Sequence, residues 1–353
     1  MNMLYTNFHI GDGGGHVTYI LSLIKNTPNN TYVACPGSSS LYKILKSDGY
    51  DNLIDIVFYY RITDIVKIIK TARLFAKYIE EYKIDIVHTN GSPDNRMALY
   101  ASLFCKRKFK VVFTKHNAKR IHTKLRLNKF NDAVVFVSEY ARRATVGDVK
   151  MPHYHVIRNG IDLEYWRSKT PAHTGNALRL ISTAGTRMSK GWMFLLEALA
   201  SLLPEERQRL SVTILGDIPS EEARSKAAAL FPAEFPGFFP DPRPWLEKAD
   251  IGFILSHTDT ETSSFASKEM LSMGLPLISS DYPNYMENID DSCGWVTERR
   301  NPESIALTLR RILGMSPEEL SAMKLNARKK AEDSFSIKRM AEETQAMYEK
   351  LLC

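Results

Sequence analysis

The chain has 353 residues, 44% of them hydrophobic and 10% aromatic. That apolar content excludes a mostly disordered chain, and the length favours two domains over one core. Residues 1–160 hold 24 Lys and Arg against 12 Asp and Glu, a balance of +12, while residues 161–353 carry −5, so the net +7 belongs to the N-terminal half. No apolar stretch approaches the roughly 18–20 residues that cross a bilayer. The first seven residues lack the basic start and apolar run of a secretory signal. Cys35, Cys105, Cys293 and Cys353 lie far apart, as expected of reduced thiols in a cytoplasmic protein.

Short runs rich in Val, Ile, Phe and Tyr, bounded by breakers, predict buried strands at residues 3–8, 31–34, 84–88, 110–114 and 133–138. Between them, residues 61–82 predict a helix with Ile62, Ile65, Val66, Ile69, Ala72, Ala76 and Ile79 along one face. A polar segment carrying Pro171 and Gly175, residues 167–176, predicts a linker. The alternation then restarts, with strands at 178–184, 211–215, 251–255 and 275–279 and helices at 190–203 and 220–230. The tail, 317–352, is helical with a break near 334–336. Strands alternating with helices predict two doubly wound parallel sheets, with a cleft between them. Ligand loops are expected beyond the carboxyl ends of the strands.

Three segments have the chemistry of a site. Gly11-Asp12-Gly13-Gly14-Gly15-His16 follows the first strand and opens a helix, so its backbone can approach an anion. A dinucleotide fingerprint wants Gly where His16 stands and an acid after the second strand, where the chain has Ala34-Cys35-Pro36, which disfavours a nicotinamide enzyme. Arg187 and Lys190-Gly191, at a strand end, place two cations where a diphosphate leaving group needs them. Glu261 and Glu269 flank Thr262-Ser263-Ser264-Phe265, whose hydroxyls suit a helix N-cap. At about 1.5 Å per residue the two carboxylates stand roughly 12 Å apart, beyond the roughly 5–9.5 Å of a hydrolase pair. That spacing suits gripping two ends of one ligand. Asp259-Thr260-Glu261 is the nearest approach to a metal motif, and no metal or other cofactor is expected. Residues 95–131 contain eleven basic residues and no acidic one, a block that attracts phosphates.

In order along the chain, these segments resemble the retaining GT-B glycosyltransferases of family 4. The matching residues are Gly13-Gly14-Gly15, Asn159-Gly160-Ile161-Asp162, Arg187 with Lys190-Gly191, and Glu261 to Glu269 running into Met273-Gly274-Leu275-Pro276-Leu277-Ile278. Glu287 and Cys293-Gly294-Trp295-Val296 follow. The resemblance implies an α/β fold of GT-B type, two Rossmann-like doubly wound parallel-sheet domains facing a cleft. The expected divisions are an acceptor-binding domain at 1–165, a nucleotide-sugar-binding domain at 166–335, and a terminal helix at 336–353 packing back toward the first.

The same resemblance implies roles for individual residues. Glu269 would hold the ribose hydroxyls and Glu261 the donor sugar. Arg187 and Lys190 would hold the diphosphate, with backbone groups at Gly14, Gly15, Ser263, Ser264 and Phe265. His116 would stand near the reacting centre, whereas His88 reads as structural. The Ser263-Ser264 pair replaces the family's frequent Phe-Gly, which is expected to reshape the donor pocket.

The resulting expectation is a retaining, metal-independent transferase acting on an envelope glycan such as lipopolysaccharide, or on a lipid-linked acceptor. Its basic half would dock on the anionic inner face of the cytoplasmic membrane. Two alternatives are a nucleotide-sugar sensor without transfer and a nucleic-acid binder using residues 95–131. The second leaves Glu261, Glu269 and Lys190-Gly191 unexplained, so no nucleic-acid partner is expected.

Overall fold

The computed structural model describes residues 1–11, 14–118, 127, 129–168, 177–257 and 263–353. They form two compact units, one of residues 1–160 with 337–353 and the other of residues 161–336. Residues 169–176 of the expected linker lie outside the described residues.

The first unit holds seven strands, β1 (Asn2–Thr6), β2 (Asn30–Cys35), β3 (Leu53–Asp55), β4 (Ile86–Thr89), β5 (Lys110–Lys115), β6 (Ala133–Phe136) and β7 (Tyr154–Val156). They pair in parallel in the order β3-β2-β1-β4-β5-β6-β7. Side chains alternate across the sheet. Met3 and Tyr5 face a core that includes the helices Gly15–Asn26 and Ile337–Leu352. Leu4 faces the opposite core, with the helices Ile65–Glu81 and Ser92–Ser102.

The second unit holds six strands, β8 (Leu178–Ser182), β9 (Leu210–Leu215), β10 (Ala233–Gly237), β11 (Ile251–Ile254), β12 (Leu277–Ser280) and β13 (Gly294–Thr297). They too are parallel, in the order β10-β9-β8-β11-β12-β13. Trp192, Leu195, Leu196 and Leu199 from the helix Trp192–Ala200 pack with Ile305, Leu309 and Ile312 in its core. Some helix starts are fixed by side-chain caps: Ser220 accepts from the Ala223 amide, Ser264 from Ser267 and Asn301 from Ser304, each satisfying an otherwise orphaned donor.

Several elements differ from the sequence expectation. Residues 61–82 begin with a 3₁₀ turn (Ile62–Asp64), and only then does the helix Ile65–Glu81 form. Its buried face is Ile68, Thr71, Ala72, Phe75, Ala76 and Ile79. Ile62, Ile65, Val66 and Ile69 are exposed instead. The run Ile65-Val66-Lys67-Ile68-Ile69 is apolar on almost every side, so periodicity alone chose the wrong edge of the stripe. The helix expected from residue 190 starts at Trp192, because Gly191 adopts φ 75° and ends a 3₁₀ turn at Met188–Lys190.

Candidate functional site

In each sheet the strand order reverses once, between β1 and β4 in the first unit and between β8 and β11 in the second. At such a reversal the loops leaving two adjacent strands diverge and open a crevice at the carboxyl edge.

The first unit gathers polar and aromatic rings at that edge. His9 and His16 follow β1, Asn90 follows β4, and His116 follows β5. The rings of His16 and His116 are 4.2 Å apart, those of His9 and His16 4.6 Å, and Tyr19 meets His116 edge-on at 4.8 Å. Asn90 orients the group. Its side-chain nitrogen donates to the Thr6 carbonyl at 3.1 Å and lies 3.4 Å from that of His88. Carbonyls only accept, so the Asn90 amide oxygen is the atom 2.9 Å from His116 Nε2. Nε2 therefore carries the ring hydrogen, and Nδ1 is the nitrogen without one.

Burial lowers the His116 pKa well below its ordinary value, with His16 as the next cause. His16 is itself brought down to about 4 by burial and by His9. Both rings are neutral at pH 7. Behind them Asp94, in the first turn of the helix Ser92–Ser102, accepts from the Asn90 amide at 2.8 Å and from Thr6 Oγ1 at 2.5 Å. Desolvation raises its carboxyl to about 7 against those hydrogen bonds.

In the second unit, Gly185 to Gly191 leaves β8 and touches the loop leaving β11. The His257 amide donates to the Ser189 carbonyl at 3.1 Å. A Cβ on Gly191 would stand 2.0 Å from the Leu255 carbonyl oxygen, and one on Gly216 would stand 2.7 Å from the Gly185 Cα. Only glycine lets these backbones approach so closely. Arg187 is exposed and Lys190 half-buried on this loop, and the Trp192 indole donates to the Thr186 carbonyl at 2.8 Å to anchor it. Thr183 Oγ1, Ser256 Oγ and His257 Nδ1 are buried here without a hydrogen-bond partner among the described residues. Buried polar atoms are rarely left so.

The helix Phe265–Ser272 starts beyond β11 with Ser264 as its N-cap. Desolvation raises the Glu269 carboxyl to about 7, with Lys268 opposing. Lys268 is buried; its ammonium donates to Ser263 Oγ at 2.5 Å and lies 5.6 and 5.4 Å from the centres of the Phe265 and Phe335 rings.

The first unit thus brings His116 to the carboxyl edge, where Gly14 and Gly15 open the helix that follows β1. The second brings Arg187, Lys190, Ser263, Ser264, Phe265 and Glu269 to its own. Glu261, Thr262, Asp259 and Gly13 lie outside the described residues. His88 is buried, bonded to Tyr348 through Nδ1 and to Thr114 through Nε2 at 2.6 Å. It joins β4 to the last helix, and burial brings it down to about 3.

The basic block at 95–131 is not a uniform cationic face. Arg107 pairs with Asp85 at 2.6 Å and Lys110 with Asp132 at 3.0 Å, while Lys115 is buried. Lys119, Arg120, Lys124 and Arg126 lie outside the described residues. Asn90, Asp94 and Lys268 were not singled out from sequence. Asn90-Gly91 at a strand end was the available signal for the first; Lys268 beside Glu269 carried none of its own. Among the described residues, no three His, Cys, Asp or Glu side chains gather as metal ligands would, and no helix is long and apolar enough to cross a membrane.

Two family models match the chain, "Glycosyltransferase Family 4" over residues 13–165 and "Glycosyl transferases group 1" over residues 178–315. No curated protein matches by sequence. Three solved structures share the fold over essentially their whole length. A glycosyltransferase from Rickettsia africae superposes with a TM-score of 0.81 at 19% identity, over 99% of this chain and 98% of that one. HepE of Anabaena, in complex with UDP-glucose, gives 0.80 at 17% identity, over 100% and 99%. The lipopolysaccharide outer core galactosyltransferase WaaB, in its apo form, gives 0.74 at 15% identity, over 99% and 100%.

Proposed function

Because the chain belongs to the GT-B glycosyltransferases matched by the family 4 and group 1 models, we propose that it moves a sugar from a nucleotide-diphosphate-sugar to a hydroxyl of an envelope glycan or lipid-linked acceptor. One observation carries the reading. At the strand-order reversal of the second unit, a glycine-framed loop with Lys190 and Arg187 abuts unsatisfied buried polar atoms and leads to Glu269. Such an arrangement would cradle a diphosphate with a polar group at each end.

In the proposed reaction the bond from the anomeric carbon to the diphosphate oxygen breaks as the acceptor oxygen bonds that carbon from the same face. Attack on the face the leaving group vacates retains configuration, and the acceptor proton passes to the departing phosphate oxygen. Lys190, Arg187 and the amide groups opening the helix Phe265–Ser272 meet the charge that grows on the leaving group. They would neutralise it without a metal. Glu269 takes the ribose hydroxyls, Glu261 the sugar, and neutral His116 acts at the reacting centre. The HepE complex with UDP-glucose makes UDP-hexoses the first donors to try. The acceptor, bound by the first unit, is presented at the inner face of the cytoplasmic membrane, where that unit's net charge of +12 favours anionic lipid.

The test is donor turnover by the full chain with a UDP-hexose panel and lipid-linked acceptors, in the presence of a chelator. The expected product retains the anomeric configuration of the donor, and the chelator leaves the rate unchanged. Lys190→Ala is expected to lower turnover about 10²–10³-fold with unfolding unaltered. An inverted linkage, loss of rate with the chelator, or a fully active Lys190→Ala variant would each contradict the corresponding part.

A further inference from the structure

The membrane docking proposed above is charge-based and names no surface; the inference here rests on that reading and supplies one. We propose that the outer face of the helix Ile65–Glu81, with the turn at residues 103–104, seats the chain on an anionic lipid bilayer by inserting apolar side chains among headgroups that its cations neutralise.

Ten of the twenty-three exposed large apolar side chains among the described residues fall between positions 57 and 104. Scattered singly, exposed apolar residues need no explanation; gathered, they mark an interaction site. Ile62 is 88% exposed, Leu103 78% and Val66 62%. Val66, Ile69, Lys70, Arg73, Leu74 and Lys77 follow one another at helical spacing, and all six are exposed. Apolar and cationic side chains therefore share one outward stripe, the composition of a helix that lies in a membrane interface.

The patch is continuous across elements. The Arg73 guanidinium lies 5.2 Å from the Phe104 ring centre and that of Arg96 5.8 Å from Tyr60. Two nearby acids are already engaged: Asp64 pairs with Lys67 at 3.2 Å, and Glu80 accepts the Lys106 amide at 2.6 Å. Lys and Arg can lay their stems along the apolar surface and reach up to phosphate. A second protein copy would bring the same cations face to face, whereas anionic lipid complements them. The helix begins at the carboxyl edge of the sheet, the edge that holds His116, so seating this face brings a lipid-linked acceptor toward that side of the unit.

Vesicle cosedimentation of the full chain tests the surface. Phosphatidylglycerol–phosphatidylcholine vesicles are expected to bind it and pure phosphatidylcholine vesicles not. The triple variant Ile62→Ser, Val66→Ser, Leu103→Ser and the double variant Lys70→Glu, Lys77→Glu are each expected to lower partition about tenfold or more. The shift in melting temperature caused by UDP, read on the same variants, is expected to stay as in the parent. If the parent sediments with anionic vesicles and both variants do so equally well, this surface is wrong while the membrane reading stands. If the parent ignores anionic vesicles, or binds neutral ones as well, both fall. Self-association abolished by the same substitutions, with no vesicle binding, would assign the face to a second copy and overturn the proposal.

Discussion

Glu269 shows how one half-buried group can tie stability to pH. Its carboxyl has an ordinary value of 4.5 and rises to about 7 in the fold, chiefly through desolvation. Below pH 4.5 it is protonated in folded and unfolded chains alike. Between 4.5 and about 7 the folded chain keeps a proton that the unfolded chain releases, so stability falls as pH rises, and above 7 the loss is complete. Glu269→Gln does not titrate, so its stability relative to the parent should climb across that window and then level, by at most about 3 kcal/mol. Urea unfolding of both proteins at pH 4.5, 6 and 8 measures it; a difference independent of pH would refute the assignment. In the proposed donor site ribose hydroxyls would donate to the ionised form, so the same substitution should weaken nucleotide binding.

The side chains that position these candidates were harder to read than the candidates themselves. Arg187 and Lys190 stood out as two cations beside a glycine at a strand end, and Glu269 by its spacing from Glu261 and the family motif the pair resembles. Asn90 and Lys268 act through tertiary contacts, one orienting His116 from a neighbouring strand and the other buried between Phe265 and Phe335. No local pattern announces such contacts.

At the scale of elements, the central strands were legible and the borders were not. The four strands absent from the sequence reading, β3, β7, β10 and β13, are the edges of the two sheets. An edge strand pairs on one side only and needs less apolar sequence. β7 is half-buried throughout, and β10 carries Pro236 at a register shift. The start of the helix Ile65–Glu81 was misassigned for the opposite reason, an excess of apolar residues, and that excess is the surface proposed to meet lipid.

Loop geometry makes the sharpest element-scale prediction. Gly191 combines φ 75° with a Cβ position 2.0 Å from the Leu255 carbonyl oxygen. Gly191→Ala should therefore push the β8 and β11 loops apart, costing about 2–4 kcal/mol from backbone strain and overpacking. It should also weaken UDP binding. A variant as stable as the parent in thermal unfolding would show that the two loops are not packed as described.

For the whole molecule, two units built on one plan each place their unusual residues at the single reversal of strand order. Parallel sheets bury both faces, so chemistry has only the loops at the strand ends in which to reside. The charge division follows the same boundary: the first unit, with its terminal helix, has 27 basic and 15 acidic residues and the second has 20 and 25. An acidic unit that is to grip an anionic donor must concentrate its cations locally, the role proposed for Arg187 and Lys190. The most direct test is a crystal of the full chain soaked with UDP-glucose. The diphosphate is expected against the backbone of residues 185–191 within reach of Lys190, with the ribose hydroxyls on Glu269. A nucleotide ordered at any other place, with that loop and carboxylate untouched, would contradict it.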